Sequence, residues 1–493
     1  MNPWHNITSL SYAEVKKLQN RQLHHFINTH VYPFSPHYRK LFDDNKINPK
    51  SIRTVEDLKV IPFTSKLDLV TKDNPIKYKD FILQPDKEKI RKSWPADKLL
   101  GLAARSLFKG SEAVQDELAK EYRPVFMTFT TGTTSTPVPF TYSRHDLENL
   151  NVSGHRMVKL FDIKPDERIM NIFPFAPHLA FWQTFFGAVE ANVFSLSTGG
   201  GKVLGTEGNL LALSRIKPST ILGVPSYIYH LVRFAQEKKQ DLSFVKKIVL
   251  GAAKVTVPYK QKLAEMLATQ GATDVRIFGT YGFTEARSAW AECPANNDVS
   301  SGYHLYPDKE IFEIINPETG EVLDNSADGE LVYTALDARA SVVLRYRTGD
   351  FVKGGITYGP CPYCKRVTLR LSSDISRLSD TKDLQLSKVK GTLVNLNHFG
   401  AILNEIPQID EWQIELRKHN NDPFDSDEVA VYVTLKAGAD EAACTNIIKE
   451  NLIAATEICP NDIKFIPLGE MIKRLELETA NKEKRIIDTR PKT

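Results

Sequence analysis

The first clear pattern in the chain is a stripe of apolar residues at three- and four-residue intervals within residues 12–31. The stripe consists of Val15, Leu18, Leu23, Phe26, Ile27 and Val31. Apolar residues at this spacing lie on one face of an α-helix. The pattern therefore predicts an opening helix that packs on a larger body.

A different pattern covers residues 165–290, where short apolar runs alternate with helical segments. The runs are ERIMNIFPF, ANVFSLS, PSTILGVP, VKKIVLGA and DVRIFGT. Strands that alternate with helices in this way are typical of a mixed or parallel sheet covered by helices. The fold class predicted from this rhythm is α/β.

Three other regions depart from the alternation. Residues 79–120 are rich in Lys, Asp and Glu around one apolar helix-like piece, 99–108, which indicates a surface insertion. Residues 310–357 contain strand-like runs separated by NPETGE and SADG, which are typical of turns. After residue 377, strand-like EWQIELRK and EVAVYVTLKA accompany helix-like EAACTNIIKENLIAAT, so we expect a compact α+β piece there.

These patterns predict two domains of unequal size. We expect a large N-terminal domain at 1–376, which includes a β-rich subdomain at 293–366, and a small α+β C-terminal domain at 377–493. The chain has 493 residues, 42% of them hydrophobic and 25% charged, which is the composition of an ordinary globular protein. At roughly 150 residues per domain this length allows about three packing units.

The charge and the cysteine content restrict the classes of binding partner and the cellular compartment that we expect. The 64 basic and 60 acidic residues give a net charge of +4, spread along the chain, so we expect no nucleic-acid surface. The five cysteines are too few for a disulfide framework, and Cys444 and Cys459 are expected to be ordinary buried residues. Neither a signal-peptide pattern nor an apolar stretch of about 18 residues occurs. We therefore expect a cytoplasmic protein without a membrane anchor.

The segment 128–142, TFTTGTTSTPVPFTY, carries the most informative chemistry. Its hydroxyl side chains surround Gly132 between an apolar run and a proline-closed segment. Hydroxyl and backbone N–H groups around one point suit phosphate oxygens. The segment is not a Walker P-loop, because Gly-Lys-Ser/Thr is absent, and a threonine-rich turn without a ligand is the alternative.

Three more motifs follow: YGFTE at 281–285, RTGD at 347–350 and NKEKR at 481–485. In this order and at these separations, the four motifs resemble those of the adenylate-forming superfamily of acyl-CoA synthetases. The chain looks most like the phenylacetate-CoA ligases, also in EIINPETGEVLDNSADGELVYTAL and GPCPYCKR. The resemblance covers most of the chain, except residues 79–120 and parts of the C-terminal piece.

The resemblance implies that ATP is held by residues from three of these motifs and from the domain junction. These residues are Thr130, Thr131, Gly132, Thr133, Thr134, Tyr281, Gly282, Asp350 and Arg377. A carboxylate that only accepts hydrogen bonds suits a vicinal diol, so Asp350 is expected to accept both ribose hydroxyls. The catalytic residues implied are Glu285, as an oxygen ligand for Mg²⁺, and Thr284, as a donor to the α-phosphate.

The family's adenylation lysine corresponds to Lys482, with Lys484 as the alternative, although Asn481 stands where the family has glycine. The phosphate loop also departs from the family. Ser135 replaces the usual Gly and Thr136 the usual Lys, which bears on how pyrophosphate is handled. Asp380 and Asp383 are the two alternatives for the hinge residue between the domains.

The cysteines supply a second constellation. Cys361 and Cys364 form a close thiol pair of the kind found in zinc knuckles, and Cys293 and His304 follow the YGFTE motif. Together they are three thiolates and one imidazole, which predicts a structural Zn²⁺ site. The alternatives are an incidental pair of cysteines and a thiol-redox site.

The resemblance also implies where the acid binds. The implied residues are Phe175, His178, Tyr227, Gly251, Ala252, Gly279 and Thr280. With Tyr281, the aromatic members of this set are expected to enclose an aromatic acid by stacking. For each of them, simple core packing is the alternative.

The predicted reaction is the ATP-dependent activation of a carboxylic acid, expected to be aromatic, to an acyl-adenylate, followed by transfer to coenzyme A. The C-terminal domain is expected to be mobile and to present Lys482 in the first step. One alternative is an adenylating enzyme that passes the acyl group to an amine or a carrier-protein thiol. The other is a non-catalytic nucleotide-binding homologue. The expected partners are the acid, ATP with Mg²⁺, and CoA, and a homodimer is one candidate for the oligomeric state.

Overall fold

The computed structural model describes residues 2–71, 73–130, 137–293, 296–378, 386–389, 392–418, 427–456, 458–477 and 483–490. Contacts between residues divide the chain into two compact units, Met1–Ile375 and Ser376–Thr493. The first unit combines a large sheet with helices, and the second is a smaller α+β unit. The predicted α/β fold class is therefore confirmed.

The first unit opens with the predicted helix, Tyr12–Phe26, which continues as a π-helical turn, Ile27–Val31. The helix begins with a capping box, in which the Ser11 hydroxyl accepts the Glu14 N–H at 3.3 Å and the Glu14 carboxylate accepts the Ser11 N–H at 2.7 Å. The apolar stripe packs into the core, where Leu23 is fully buried. One short helical element, Ile7–Ser9, precedes this helix. Six more come after it: Tyr32–Phe34, Pro36–Asp44, Pro49–Ser51, Val55–Val60, Lys66–Leu69 and Lys77–Phe81.

Among the described residues, nine strands form the central sheet. Their spatial order is Ile356–Pro360, Val367–Leu371, Tyr303–His304, Ser288–Ala291, Arg276–Phe283, Lys247–Leu250, Thr220–Gly223, Arg168–Asn171 and Phe194–Ser197. The last five strands of this order are parallel, as the sequence of residues 165–290 predicts, and the first four continue the sheet with antiparallel pairing.

The strand Arg276–Phe283 joins the two halves of this sheet. Up to Gly279 it pairs in parallel with Lys247–Leu250, and from Thr280 onwards it pairs in antiparallel fashion with Ser288–Ala291. Ligand sites of open α/β sheets lie beyond the carboxyl ends of the parallel strands, where the topology switches. The YGFTE motif therefore begins just beyond the carboxyl end of the parallel part of this strand.

Helices cover the sheet, in the order Arg144–Leu160, Leu179–Glu190, Gly201–Ile216, Pro225–Glu237 and Val257–Ala268. The first two approach closely at Gly154 and Gly187, because a Cβ on Gly154 would lie 2.5 Å from the Gly187 Cα. The predicted insertion contains three helices, Lys87–Ser93, Ala96–Lys109 and Ser111–Tyr122. No described helix has both the length and the apolar composition needed to cross a bilayer.

The strands of the predicted β-rich region belong to two sheets. Glu310–Ile315, Gly329–Ala335 and Tyr346–Val352 pair with one another in antiparallel fashion in a second sheet, whose fourth strand is Ile375–Arg377. Tyr303–His304 and Ile356–Pro360 instead extend the central sheet. A separate hairpin pairs Phe126–Phe129 with Pro139–Tyr142, and the short strand Ile375–Arg377 spans the division between the two units.

The second unit has a four-stranded sheet and its own core. The strand order among the described residues is Asp462–Phe465, Asp427–Leu435, Ile409–Lys418 and Ile486–Asp488, and the helices are Leu396–Glu405, Glu441–Thr456 and Leu468–Leu475. A hairpin, Leu386–Val389 with Thr392–Asn395, precedes them. Cys444 is buried as predicted, but the prediction for Cys459 is wrong, because this residue is exposed in the loop between helix Glu441–Thr456 and strand Asp462–Phe465.

Candidate functional site

The predicted phosphate loop connects the two strands of the hairpin, Phe126–Phe129 and Pro139–Tyr142. Thr130 closes it, since its N–H donates to the Val138 carbonyl at 3.0 Å and its hydroxyl oxygen accepts the Val138 N–H at 2.9 Å. The next residues, Thr131, Gly132, Thr133, Thr134, Ser135 and Thr136, lie outside the described residues. Their contact with phosphate stays a prediction.

His178 and Thr284 meet at the end of this hairpin. The Phe129 carbonyl accepts hydrogen bonds from His178 Nδ1 at 3.0 Å and from the Thr284 hydroxyl at 3.4 Å. The sequence assigned His178 to the acid and Thr284 to the α-phosphate. The structure brings both side chains to one carbonyl group, directly before Thr130.

Glu285, the predicted Mg²⁺ ligand, is half-buried and held by a tyrosine. The Tyr346 hydroxyl donates to Glu285 Oε1 at 2.8 Å, and Tyr346 is itself 3% exposed. A hydrogen bond from a buried side chain fixes the orientation of a carboxylate, as such bonds do for metal-binding carboxylates. In the part of the chain that the structure describes, no further partner is bound to this carboxylate, whose oxygens suit a hard cation.

Asp350, the predicted ribose ligand, is also held by a tyrosine. It is 5% exposed, and its Oδ2 accepts the Tyr281 hydroxyl at 2.6 Å. The Asp350 N–H donates to the Thr348 hydroxyl oxygen at 3.1 Å, and the Thr348 hydroxyl donates to the Leu331 carbonyl at 2.7 Å. The carboxylate is therefore pre-oriented before any ligand binds.

These two contacts form a reciprocal pair. Tyr281 and Glu285 are four residues apart in one segment (285 − 281 = 4), and Tyr346 and Asp350 are four residues apart in another (350 − 346 = 4). Each segment supplies one tyrosine and one carboxylate, and each tyrosine donates to the carboxylate of the other segment. The YGFTE and RTGD motifs are thus locked together by two hydrogen bonds.

The glycines predicted for the acid lie at neighbouring strand ends. A Cβ on Gly251 would lie 2.5 Å from Thr280 Oγ1, and the Thr280 hydroxyl donates to the Leu250 carbonyl at 2.9 Å. Leu250 is opposite Gly279 in the parallel register, and Ala252 has a positive φ of +67°. Gly251, Ala252, Gly279 and Thr280 therefore form one compact group at the carboxyl ends of two neighbouring parallel strands.

The aromatic residues predicted for the acid lie on separate elements. Tyr227, on helix Pro225–Glu237, is 7% exposed, and its hydroxyl accepts a hydrogen bond from Asn209 Nδ2 at 3.0 Å. Phe175 is 63% exposed, and its ring packs edge-on against Phe181 at 5.2 Å between centroids. Their contact with an acid stays a prediction.

The candidates beyond residue 376 are only partly described. Lys482 lies outside the described residues. Lys484 is exposed, and its ammonium group pairs with the Glu476 carboxylate at 2.6 Å. Arg377 is exposed at the end of the strand Ile375–Arg377. The roles of these residues stay predictions.

The cysteine and histidine constellation is assembled as the sequence predicts. Cys293, His304, Cys361 and Cys364 each offer one ligand atom, and these atoms all lie within 4.8 Å of one another. Cys293 Sγ is 3.5 Å from Cys361 Sγ, and Cys364 Sγ is 3.7 Å from His304 Nε2. A tetrahedral zinc ion with Zn–S bonds of about 2.3 Å holds its ligand atoms roughly 3.5–3.8 Å apart. The residues therefore fit Zn²⁺.

The electrostatics of this cluster lower the pKa of Cys364 and of Cys361, whereas the hydrogen bond with Cys364 and burial raise the pKa of Cys293. A hydrogen bond with the Cys293 thiol and the neighbouring His304 hold the pKa of Cys364 far below its usual range, against the opposing effect of burial. Burial by itself lowers the pKa of His304, but its contacts with Cys361 and Cys364 outweigh burial and raise it. Thiolates are the form of cysteine that binds a metal ion.

The comparisons with known proteins agree with this geometry. Residues 47–335 match the model of the AMP-binding enzyme family, and since this is more than half of the chain, the protein belongs to that family. Within it, the chain is 25% identical over 434 residues to the phenylacetate-coenzyme A ligase of Thermus thermophilus, covering 87% of this chain and 83% of that one. It is 24% identical over 500 residues to the ligase of the same name from Aromatoleum evansii, covering 99% and 97%.

Among solved structures, the fold is similar to that of 2-hydroxyisobutyryl-CoA ligase in the postadenylation state in complex with R3-HIB-AMP. The TM-score is 0.73 at 18% sequence identity, over 98% of this chain and 91% of the other. At this identity the likeness concerns the fold. The predicted resemblance to adenylate-forming enzymes, and to phenylacetate-CoA ligases among them, is confirmed.

Proposed function

We propose that this protein activates a carboxylic acid with ATP to an acyl-adenylate and then transfers the acyl group to coenzyme A. The observation that carries the proposal is the reciprocal pair of tyrosine–carboxylate hydrogen bonds between the YGFTE and RTGD motifs, in a chain of the AMP-binding family. Two carboxylates that are each held by a tyrosine hydroxyl suit a ribose diol and a cation between phosphates.

In the first step, a carboxylate oxygen of the acid attacks the α-phosphorus of ATP, and the bond from this phosphorus to the bridging oxygen breaks. Pyrophosphate leaves with that electron pair. Asp350 holds the ribose, the Thr284 hydroxyl donates to the α-phosphate, and Glu285 would hold Mg²⁺, which neutralises phosphate charge when it is bound. In the second step, the sulfur of CoA attacks the acyl carbon and AMP leaves.

The half-reactions provide the experiment that tests this proposal. Lys482→Ala should lower acyl-adenylate formation about a thousandfold, because a cation in a closed site stabilises charge that develops only in that step. The same variant should transfer the acyl group from chemically made acyl-adenylate to CoA at a near-normal rate. Lys484→Ala is the matched control. If this variant, and not Lys482→Ala, loses acyl-adenylate formation while it retains transfer to CoA, Lys484 is the adenylation lysine. Equal loss of both half-reactions in a folded Lys482→Ala variant contradicts the mechanism.

We further propose that Cys293, His304, Cys361 and Cys364 hold a structural Zn²⁺ ion. Three of the four are almost fully buried, and only Cys364 is partly exposed. A closed set of four sulfur and nitrogen ligands is typical of a structural zinc site, whereas a catalytic site keeps one position open. The ion would link the antiparallel end of the central sheet to the turn that contains Cys361 and Cys364.

We also propose the class of acid and the cellular compartment. Exposed Phe175, together with His178 and Tyr227, suits an aromatic acid, and the free thiols suit the cytoplasm. Supplying CoA, amines and a carrier-protein thiol in parallel to the preformed acyl-adenylate distinguishes CoA ligation from the alternative transfers. A homodimer stays one candidate for the assembly.

A further inference from the structure

A small polar cavity of about 40 Å³ lies next to the residues that directly follow the YGFTE motif. Arg287, Ser288 and Glu310 line it, together with residues of helix Arg144–Leu160. Arg287 Nε and Ser288 Oγ are buried and have no hydrogen-bond partner among the described residues. A cavity of this size has room for about three water molecules, which would satisfy these groups.

Glu310 is the one carboxyl group of this cavity that forms no ion pair within the described chain. It is 3% exposed. The charged side chains that surround it come from the helix Arg144–Leu160, the 284–287 turn, the 308–309 loop and residue 337, and they are already paired with one another. The pairs are Arg156 with Asp308 at 2.7 Å, Arg287 with Asp146 at 3.1 Å, and Lys309 with Asp337 at 2.7 Å. The other titratable groups of the lining are Tyr306 and Tyr333.

Glu310 binds two donors instead. Its Oε1 accepts the Trp290 indole N–H at 2.8 Å and the Tyr306 backbone N–H at 2.6 Å. Trp290 is completely buried, and it is the cross-strand partner of Tyr281. The rings of Trp290 and Tyr281 stack with 5.9 Å between centroids and an angle of 28°.

Tyr281 is the tyrosine that donates to Asp350 at 2.6 Å. A continuous series of contacts therefore runs from the Glu310 carboxyl group to the Trp290 indole, the Tyr281 ring and the Asp350 carboxylate. A shift of the indole changes the support of the Tyr281 ring, because protein interiors are close-packed.

We propose that Glu310 is a positioning residue of the nucleotide site, which holds Tyr281 and Asp350 in place through Trp290. This inference rests on the proposed function, since it needs ATP to bind at Tyr281 and Asp350. Glu310 itself touches neither the nucleotide ligands nor the reacting atoms.

The protonation of Glu310 supports the same conclusion. Burial raises its pKa to about 8; the hydrogen bonds from Tyr306 and Trp290 and the charge of Arg156 oppose this rise, and the charge of Asp308 adds to it. At neutral pH the group is therefore an uncharged acid that accepts at Oε1 and has a proton for the cavity water. Above pH 8 it becomes a buried anion outside any ion pair, and the groups around it must rearrange to stabilise the charge.

The experiment is calorimetric titration of ATP into the whole protein and three variants. Glu310→Leu removes the acceptor of both N–H groups and should weaken ATP binding about tenfold at pH 7. Glu310→Gln retains the acceptor and should bind within about twofold of the unaltered protein. Between pH 7 and 9 the unaltered protein should lose affinity, and Glu310→Gln should lose less, because glutamine does not ionise.

Glu313→Gln is the matched control, since Glu313 is a buried glutamate of the same strand that pairs with Arg345 at 3.1 Å. It should lower thermal stability and leave ATP affinity unchanged. Equal affinity of Glu310→Leu and the unaltered protein overturns the inference, as does an equal loss in Glu313→Gln. If Glu310→Leu does not fold, identical pH profiles of Glu310→Gln and the unaltered protein overturn it. No ATP binding by the unaltered protein contradicts the proposed function as well.

Discussion

The reciprocal tyrosine–carboxylate pair of the candidate nucleotide site and the cysteine–histidine cluster each consist of four side chains, but they differ in where these side chains find their binding partners. In the nucleotide site, Tyr281 and Tyr346 donate to Asp350 and Glu285, so the carboxylates have partners within the protein. In the cluster, three thiols and an imidazole face one another in a buried space. The two carboxylates are therefore oriented before a ligand arrives, whereas the cluster would gain stability from the ion that we propose it holds.

The largest expected effect comes from removing a ligand of the cluster. Cys361→Ser should lose the metal ion and about 3 kcal/mol or more of folding free energy, because metal binding to such a site is coupled to folding. Elemental analysis and thermal unfolding measure both effects. Cys444→Ser is the control, since Cys444 is an equally buried cysteine outside the cluster. A metal content near zero in the unaltered, chelator-free protein would exclude a zinc ion at this cluster.

The nucleotide site should show the opposite behaviour, with lost chemistry and retained fold. Glu285→Ala should lower pyrophosphate release about a hundredfold, since a metal-bound carboxylate at the phosphates is lost. Circular dichroism and the melting temperature should stay close to those of the unaltered protein, because Glu285 is only half-buried. Near-normal pyrophosphate release from the folded variant would exclude Glu285 from the site.

Asp350→Ala should act mainly on binding. Removing a charged acceptor of the ribose hydroxyls should weaken ATP binding by roughly 1.5–3 kcal/mol, the range for hydrogen bonds to charged groups. Calorimetric titration with ATP measures this change directly. An unchanged dissociation constant would mean that the ribose lies elsewhere.

The smallest expected effects come from the two tyrosines, and they sharpen the comparison. Tyr346→Phe and Tyr281→Phe each remove one hydrogen bond to a carboxylate, worth about 1.5 kcal/mol and hence roughly tenfold. Tyr346→Phe should lower kcat, because it acts through Glu285, whereas Tyr281→Phe should raise the KM for ATP, because it acts through Asp350. Identical changes in both variants would argue against separate roles for the two carboxylates.

The sequence predicted the α/β fold, the opening helix, the parallel half of the sheet and the YGFTE and RTGD motifs, whose side chains lie together in the structure. These features depend on periodicity and on short motifs, which act locally. The partners of the carboxylates were missed, because Tyr346 is 61 residues from Glu285 and Tyr281 is 69 residues from Asp350. Their side chains meet only through the packing of two sheets. Glu310 gave no signal either, since it begins an ordinary strand.

The cysteine–histidine cluster was predictable for a different reason. Cysteine and histidine are uncommon enough that the thiol pair at Cys361 and Cys364 stands out. Cys293 and His304 both follow the YGFTE motif. Cys459 shows the limit of this reasoning, because burial depends on the surrounding loop and not on residue type alone.

The most direct test of the central claim is pyrophosphate release by the purified protein on addition of ATP, Mg²⁺ and a panel of aromatic and aliphatic acids, with and without CoA. We predict acid-dependent release of pyrophosphate, an acyl-adenylate that accumulates without CoA, and a thioester with AMP when CoA is present. ATP binding without pyrophosphate release for any acid would contradict the claim and leave a nucleotide-binding protein.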